Sequence, residues 1–81
     1  MAAREVLDYV IPWLVDDPDA VEVVEAEGDG DGETVVYELT VDPDDMGKVI
    51  GKRGRIIRSL RVLARAAGRD DGRPVTVEVL D

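Results

Sequence analysis

Three short segments of the chain alternate apolar and polar residues, and this alternation constrains the fold more than any other feature. They are "VEVVEAE" at residues 21–27, "TVVYELTV" at residues 34–41 and "VTVEVL" at residues 75–80. A period of two is typical of a β-strand with one apolar face. A sheet of such strands buries one face and leaves the other in solvent. The rest of the chain therefore has to supply helices that cover a single face of a three-stranded sheet.

Three helical segments fit that requirement. Residues 4–15 carry apolar side chains at helical spacing. Pro12 lies inside this segment and lacks an amide hydrogen, so it predicts either a kink or an irregular last turn. Residues 46–50 are predicted to form a short helical turn, and residues 55–67 a longer helix that stops at Gly68.

The predicted order of elements is α-β-β-α-α-β, an α+β fold in one domain spanning residues 1–81. The sequence "GDGDGE" at residues 28–33 predicts a hairpin between the first two strands. Two helices separate the second strand from the third, so these two strands can be parallel, with a right-handed crossover. The expected architecture is a three-stranded mixed sheet with helices packed on one face.

Several kinds of chemistry are excluded by what the sequence lacks. Cysteine and histidine are both absent, which removes disulfides, thiolate metal sites and the commonest general base. "DGDGE" at residues 29–33 does not have the ligand spacing of a calcium loop, and "GKRGR" at residues 51–55 is not a nucleotide-binding P-loop. No apolar run approaches the ~20 residues of a membrane span. We expect a cytoplasmic protein that is not an enzyme and uses no metal and no cofactor.

Charge is distributed unevenly along the chain. The formal net charge is -9, yet residues 46–73 hold nine Lys or Arg against two Asp. Elsewhere Arg4 stands against seventeen acidic residues, most of which simply keep a small protein soluble. Such a molecule attracts a polyanion to one part and repels it from the rest.

The densest group of cations surrounds the sequence "GKRG" at residues 51–54, directly before the long helix. The first amides of a helix have no partner within it and carry the positive end of its dipole. Glycines let the chain turn tightly and let another chain approach closely. Together with Lys52, Arg53, Arg55 and Arg58, these features predict a phosphate-binding site. The alternative is an ordinary turn between two helices.

The long helix places apolar and cationic residues on different sides. Its apolar arc, expected in the core, consists of Ile56, Ile57, Leu60, Leu63, Ala64 and Ala67. The roughly opposite arc consists of Arg55, Arg58, Arg61, Arg65 and Arg69. The last three of these arginines either form only a solvated face or extend the cationic surface.

The stretch "VIGKRGRIIRSL" at residues 49–60 resembles the signature of the KH domain, a module that binds single-stranded nucleic acid. Val49 and Ile50 form the apolar pair before the first glycine, and Ile57 follows the second glycine after two residues. Over residues 4–80 the chain looks most like the KhpA family of small bacterial proteins with one KH domain. Its order of elements is similar to that of the type II KH fold.

The resemblance implies a single-stranded RNA partner and a role in RNA metabolism, RNA chaperoning or post-transcriptional control. The loop would clamp the backbone of about four nucleotides. Ile50, with Ile56 or Ile57 and apolar residues of the neighbouring strand, would form the floor of a groove for bases. The implied RNA-binding residues are Ile50, Gly51, Lys52, Arg53, Gly54, Arg55, Ile57 and Arg58. With no Phe, one Trp and two Tyr, base stacking on aromatic rings is expected to be limited.

The same resemblance implies protein partners as well. Members of the family form homodimers and pair with a larger, multidomain KH protein. An alternative function is therefore a protein-interaction scaffold, in which the loop is secondary. Trp13 is expected in the core, or alternatively in such an interface.

Overall fold

The computed structural model describes residues 2–27, 34–69 and 72–80. The helices and strands are α1 (Ala3–Leu14), β1 (Glu22–Glu27), β2 (Val35–Thr40), α2 (Met46–Ile50), α3 (Arg55–Gly68) and β3 (Val75–Val79). Short 3-10 turns, which the sequence did not predict, occupy Pro18–Ala20, Pro43–Asp45 and Lys52–Gly54. The α+β class and the order α-β-β-α-α-β are confirmed. The loop predicted at residues 28–33 lies outside the described residues.

The three strands form one mixed sheet in the order β1-β2-β3. β1 pairs with β2 in antiparallel orientation, with Val23 opposite Leu39. β2 pairs with β3 in parallel orientation, with Tyr37 beside Val77. The predicted mixed sheet is therefore confirmed, and β2 is its central strand.

The core lies between one face of this sheet and the helices. Alternate residues of β2 are buried, as the period of two predicted. The buried apolar residues of the three helices are Ala3, Leu7, Ile11, Val49, Ile57, Leu60 and Ala64. Those of the strands and the residue that follows β2 are Val23, Val35, Tyr37, Leu39, Val41, Val75 and Val77.

Two residues predicted in the core lie outside it. Trp13 is 78% exposed, because Leu7 and Ile11 define the buried side of α1 and Trp13 lies about 200° around the helix from Ile11. Leu63 is 47% exposed, because it lies at the edge of the apolar arc whose centre is formed by Leu60. α1 itself continues through Pro12 and ends two residues later.

Each edge of the sheet has a carbonyl that accepts a hydrogen bond from an arginine of a helix. Arg4 Nη2 donates to Val23 O at 3.0 Å on β1, and Arg61 Nε donates to Val77 O at 2.9 Å on β3. Unpaired groups on an edge strand can pair with another chain, and each of these contacts occupies one such carbonyl. Arg61 is half-buried and bonded, so it is not a merely solvated arginine.

Candidate functional site

The GKRG loop, residues 51–54, joins α2 to α3 through three residues at positive φ. These are Gly51 at 76°, Arg53 at 57° and Gly54 at 72°. The Gly51 amide donates to Gly47 O at 2.8 Å, and the Gly54 amide donates to Gly51 O at 3.2 Å. Glycine adopts this region freely, whereas a side chain at Arg53 makes it costly. The loop is thus a defined turn that holds Lys52 and Arg53 at its exposed tip.

The two glycines are required for different reasons. A Cβ at Gly51 would lie 2.7 Å from Ile56 Cγ1, so the backbone there approaches a side chain that cannot easily retreat. A Cβ at Gly54 would lie at an ordinary 3.7 Å from Ile57 Cγ2, so only the positive φ favours glycine. Ile56 therefore covers Gly51, while Ile57 is only 7% exposed and belongs to the core.

Arg58, in the first turn of α3, holds the loop in place through two hydrogen bonds. Its Nη2 donates to Arg53 O at 2.9 Å, and its Nε donates to Gly54 O at 3.3 Å. The side chain is still exposed, so it adds positive charge as well as holding the turn. The backbone amide of Arg55, expected to be free, donates to Lys52 O. The attraction of this site for a phosphate therefore comes more from side-chain cations, and less from free backbone amides, than the sequence indicated.

The cations at the loop tip face solvent. Lys52, Arg53 and Arg55 are exposed. Within the described ranges none of the three forms an ion pair with an acidic side chain. Their charge is therefore available to a phosphate group.

Lys48 differs from these cations, because acids of the chain itself engage it. Its Nζ lies 2.6 Å from Asp16 Oδ2 and 3.3 Å from Asp45 Oδ1. These hydrogen bonds, the one to Asp16 first, raise the pKa of Lys48 above its ordinary value. Lys48 thus joins α2 to the segment between α1 and β1 and contributes little free charge to the loop.

Asp45, at the start of α2, is the buried carboxylate that the sequence argument missed. It is 2% exposed, and its Oδ2 accepts a hydrogen bond from the Asp17 amide at 3.1 Å. Burial by itself would raise the pKa of Asp45, but hydrogen bonds from the amides of Asp17 and Asp16 and from Lys48 outweigh it and lower the pKa. The contact joins residues 28 positions apart. It fixes α2, and with it the entrance to the GKRG loop.

α3 separates two surfaces of different character. The arginine flank, which consists of Arg58, Arg61 and Arg65, lies toward β3, since Arg61 contacts Val77 and residues three or four apart share a side of a helix. The apolar flank lies toward α1 and toward solvent. It is formed by Val10 and Leu14 of α1 and by Ile56 and Leu63 of α3. Val62 lies where this flank meets Arg55 and Arg58.

Across the ranges that the structure describes, no helix has the length and hydropathy needed to cross a membrane. The same ranges contain no group of three or more metal-ligating side chains.

The chain is similar to a known protein family and to several curated proteins. The family model "KhpA/KhpB, KH domain" matches residues 4–79. The RNA-binding protein KhpA of Aquifex aeolicus is 46% identical over 80 residues, which cover 99% of this chain and 98% of that protein. The KhpA protein of Caldanaerobacter subterraneus is 45% identical over 76 residues, covering 94% and 97% of the two chains. That of Clostridium perfringens is 40% identical over 77 residues, covering 95% and 99%.

Two solved structures share the fold. A variant of Aquifex aeolicus Era bound to GDP.AlF4- matches with a TM-score of 0.61 and 24% identity. Era in complex with MgGDPNP and nucleotides 1506–1542 of 16S ribosomal RNA matches with a TM-score of 0.63 and 26% identity. Both matches cover 95% of this chain, but it spans only 29% and 28% of the two Era chains.

Proposed function

Because the chain belongs to the KhpA/KhpB family of KH domains, we propose that it binds single-stranded RNA through the GKRG loop. The curated relatives that it matches over nearly their whole length carry the name RNA-binding protein. One observation carries the proposal for this loop. Lys52 and Arg53 stand exposed on a turn whose glycines have positive φ and whose carbonyls Arg58 holds in place.

The residues of the site have different roles in this proposal. Lys52 and Arg53 contact phosphates, and Arg55 and Arg58 raise the positive potential around them. The other four residues, Ile50, Gly51, Gly54 and Ile57, shape the loop and anchor it to the core. About four nucleotides occupy such a site, so a single domain binds RNA modestly, against repulsion from its acidic remainder.

A charge reversal at the loop tip tests the proposal. Lys52→Asp with Arg53→Asp should leave the circular dichroism spectrum unchanged, because both side chains are exposed and Asp tolerates positive φ. A filter-binding titration with a short unstructured RNA should show that most of the affinity is lost. Arg65→Asp with Arg69→Asp changes the net charge equally, far from the loop, and should lose much less. Unchanged RNA binding by the folded loop variant would refute the assignment.

We place this activity in the cytoplasm, in RNA metabolism, RNA chaperoning or post-transcriptional control. Crosslinking in cells followed by sequencing of the bound RNA tests this placement, because it identifies the transcripts directly. Recovery of no RNA above the level of the loop variant would contradict it.

A second function, pairing with another KH domain, is favoured by the apolar flank and the aromatic residues beside it. Tyr9 and Trp13 of α1 and Val62 and Leu63 of α3 are all exposed. We propose that a second copy of this chain covers this surface, and that a larger, multidomain KH protein can take the place of that copy. Two RNA sites in one dimer raise the effective concentration of the second site and so strengthen binding.

Light scattering at tens of micromolar protein tests the homodimer. The wild type should have about twice the chain mass of 8.8 kDa, and Val62→Glu with Leu63→Glu should reduce it to one chain, since both side chains are exposed. Arg65→Glu with Ala66→Glu alters exposed residues of the same helix and should leave the dimer intact. A wild-type monomer at this concentration would contradict self-association and leave the larger KH protein as the partner to test.

A further inference from the structure

The helices pack on one face of the sheet, and its other face stays open. Side chains alternate between the two faces along each strand. The open face is therefore formed by the residues that lie between the buried ones, and its central residues are Val24, Val36, Glu38, Thr76 and Glu78. Each of them is exposed or half-buried. This surface takes no part in the RNA site or in the dimer proposed above, so any partner that it binds is a different one.

Every charged side chain on the open face is a carboxylate. β1, β2 and β3 contain glutamates but neither Lys nor Arg. The parallel register sets Glu38 of β2 directly beside Glu78 of β3, on strands about 4.8 Å apart. No ion pair between described residues engages either carboxylate. Like charges at directly neighbouring positions destabilise a sheet, so the fold by itself gives no reason for this pair.

Apolar side chains flank the two carboxylates. Val24 is paired with Glu38 from the β1 side and is 43% exposed. Leu80, directly after β3 and two positions beyond Glu78, is 38% exposed. An arginine side chain suits such a surface, because its guanidinium donates paired hydrogen bonds to carboxylates while its aliphatic stem covers apolar atoms. The open face thus matches arginine in both charge and polarity.

The charge of the open face decides between the possible partners. Its glutamates repel RNA. A second copy of this chain carries the same formal net charge of -9 and is repelled as a whole. A positively charged protein segment is attracted instead. Within such a segment, arginine binds adjacent carboxylates better than lysine does, because its planar guanidinium matches their geometry.

We propose that the open face is a docking surface for an arginine-rich segment of another protein, whose guanidinium groups bind Glu38 and Glu78. The GKRG loop joins two helices that pack on the opposite face of the sheet, so the segment leaves the loop accessible. One chain can therefore hold RNA on its helical side and a basic protein on its open face. The docking itself does not depend on the proposed RNA binding.

A nine-residue peptide in which arginine alternates with serine is a direct probe of this surface. In an NMR titration of the wild type at low salt, the amide signals of β2 and β3 should shift first, ahead of those of the acidic turns at residues 16–19 and 42–45. The same peptide with lysine in place of arginine should bind at least about twofold more weakly, because lysine lacks the planar fork. If the acidic turns shift equally, or if the lysine peptide binds as tightly, the attraction is one of net charge and the proposed site is overturned.

Two double variants with the same change of charge test the glutamate pair. Glu38→Gln with Glu78→Gln should weaken calorimetric binding of the arginine peptide at least about fivefold, because it removes both charged acceptors. Asp19→Asn with Asp44→Asn neutralises two exposed carboxylates in turns and should weaken binding less than about twofold. Urea unfolding should show the glutamine variant to be at least as stable as the wild type, because the repulsion between the two glutamates is gone.

The outcomes distinguish this inference from the function proposed above. Unchanged peptide binding by the folded glutamine variant, or an equal loss of binding in the asparagine variant, overturns the docking surface. RNA does not enter any of these measurements, so such a result leaves the RNA proposal standing. Conversely, a wild type that binds the arginine peptide on its open face but binds no RNA would keep the docking surface and lose the proposed function.

Discussion

The two flanks of α3 belong to one helix but differ in how far other residues of the chain contact them. On the arginine flank, Arg58 and Arg61 donate hydrogen bonds to carbonyls of the loop and of β3. On the apolar flank, Leu63 remains exposed beside a groove against α1, and Val62 is exposed where the two flanks meet. The first flank is positioned before any ligand arrives, so binding there costs little ordering of side chains. The second gains stability only when another surface removes it from water.

The largest expected effect lies at the loop, where both flanks begin. Gly51→Ala should lower the free energy of unfolding by about 2–4 kcal/mol, because it adds a strained positive φ to an overlap with Ile56 on the apolar flank. Gly54→Ala, on the side braced by Arg58, meets no overlap and should cost only about 1–2 kcal/mol. Urea unfolding of the two variants measures the difference. Equal losses of unfolding free energy in the two variants would show that Ile56 moves away from the added Cβ. The two sides of the loop would then be alike.

A smaller effect on stability is expected when the pH changes the charge of Asp45. This residue fixes α2 and hence the position of the loop relative to both flanks. Its pKa in the folded chain is lowered from 3.8, so its stabilising contribution is fully present above about pH 3.8 and is lost as the pH falls through the folded value. Asp45→Asn should therefore be less stable than the wild type at neutral pH, and the gap should shrink in acid.

Urea unfolding between pH 7 and pH 2 measures this gap. Asp44→Asn, at the exposed neighbouring position, is the matched control and should show little gap at any pH. If the difference in stability between Asp45→Asn and the wild type stays constant in acid, the assignment of a stabilising carboxylate there is contradicted.

The smallest effect concerns charge along the arginine side of α3. If three or four phosphates are neutralised, the slope of log affinity against log salt should be roughly −2 to −3. Arg55→Gln with Arg58→Gln should flatten it by roughly one unit, and Arg65→Gln with Arg69→Gln should change it little. A titration of one short RNA from low to moderate salt measures all three proteins. A greater loss of slope in the second variant would move the phosphate site away from the loop.

The sequence predicted the elements well because each depends on local periodicity. Residues 34–41 carry an apolar side chain at every second position, and β2 forms there with Val35, Tyr37 and Leu39 buried. The GKRG loop could be identified for a similar reason, since its glycines and cations are adjacent in the chain. These features do not depend on which distant residues pack together.

The residues that the sequence misplaced or missed owe their surroundings to packing between segments that are distant in the chain. Periodicity gives the angle of Leu63 and Trp13 around their helices but not which surface covers that angle. Arg61 meets Val77 across 16 residues and Asp45 meets Asp17 across 28, and no local pattern marks either pair. Such contacts become visible only once the sheet and the helices are assembled.

At Arg53 the backbone conformation lowers the stability of the loop, whereas the side chain serves the proposed RNA binding. Its left-handed backbone is roughly 1–2 kcal/mol less favourable for arginine than for glycine, yet its cation stands at the tip that meets phosphate. A library selected only for resistance to heat should therefore accumulate Gly or Asn at position 53. A library selected for capture of RNA should retain the arginine and accept the weaker fold.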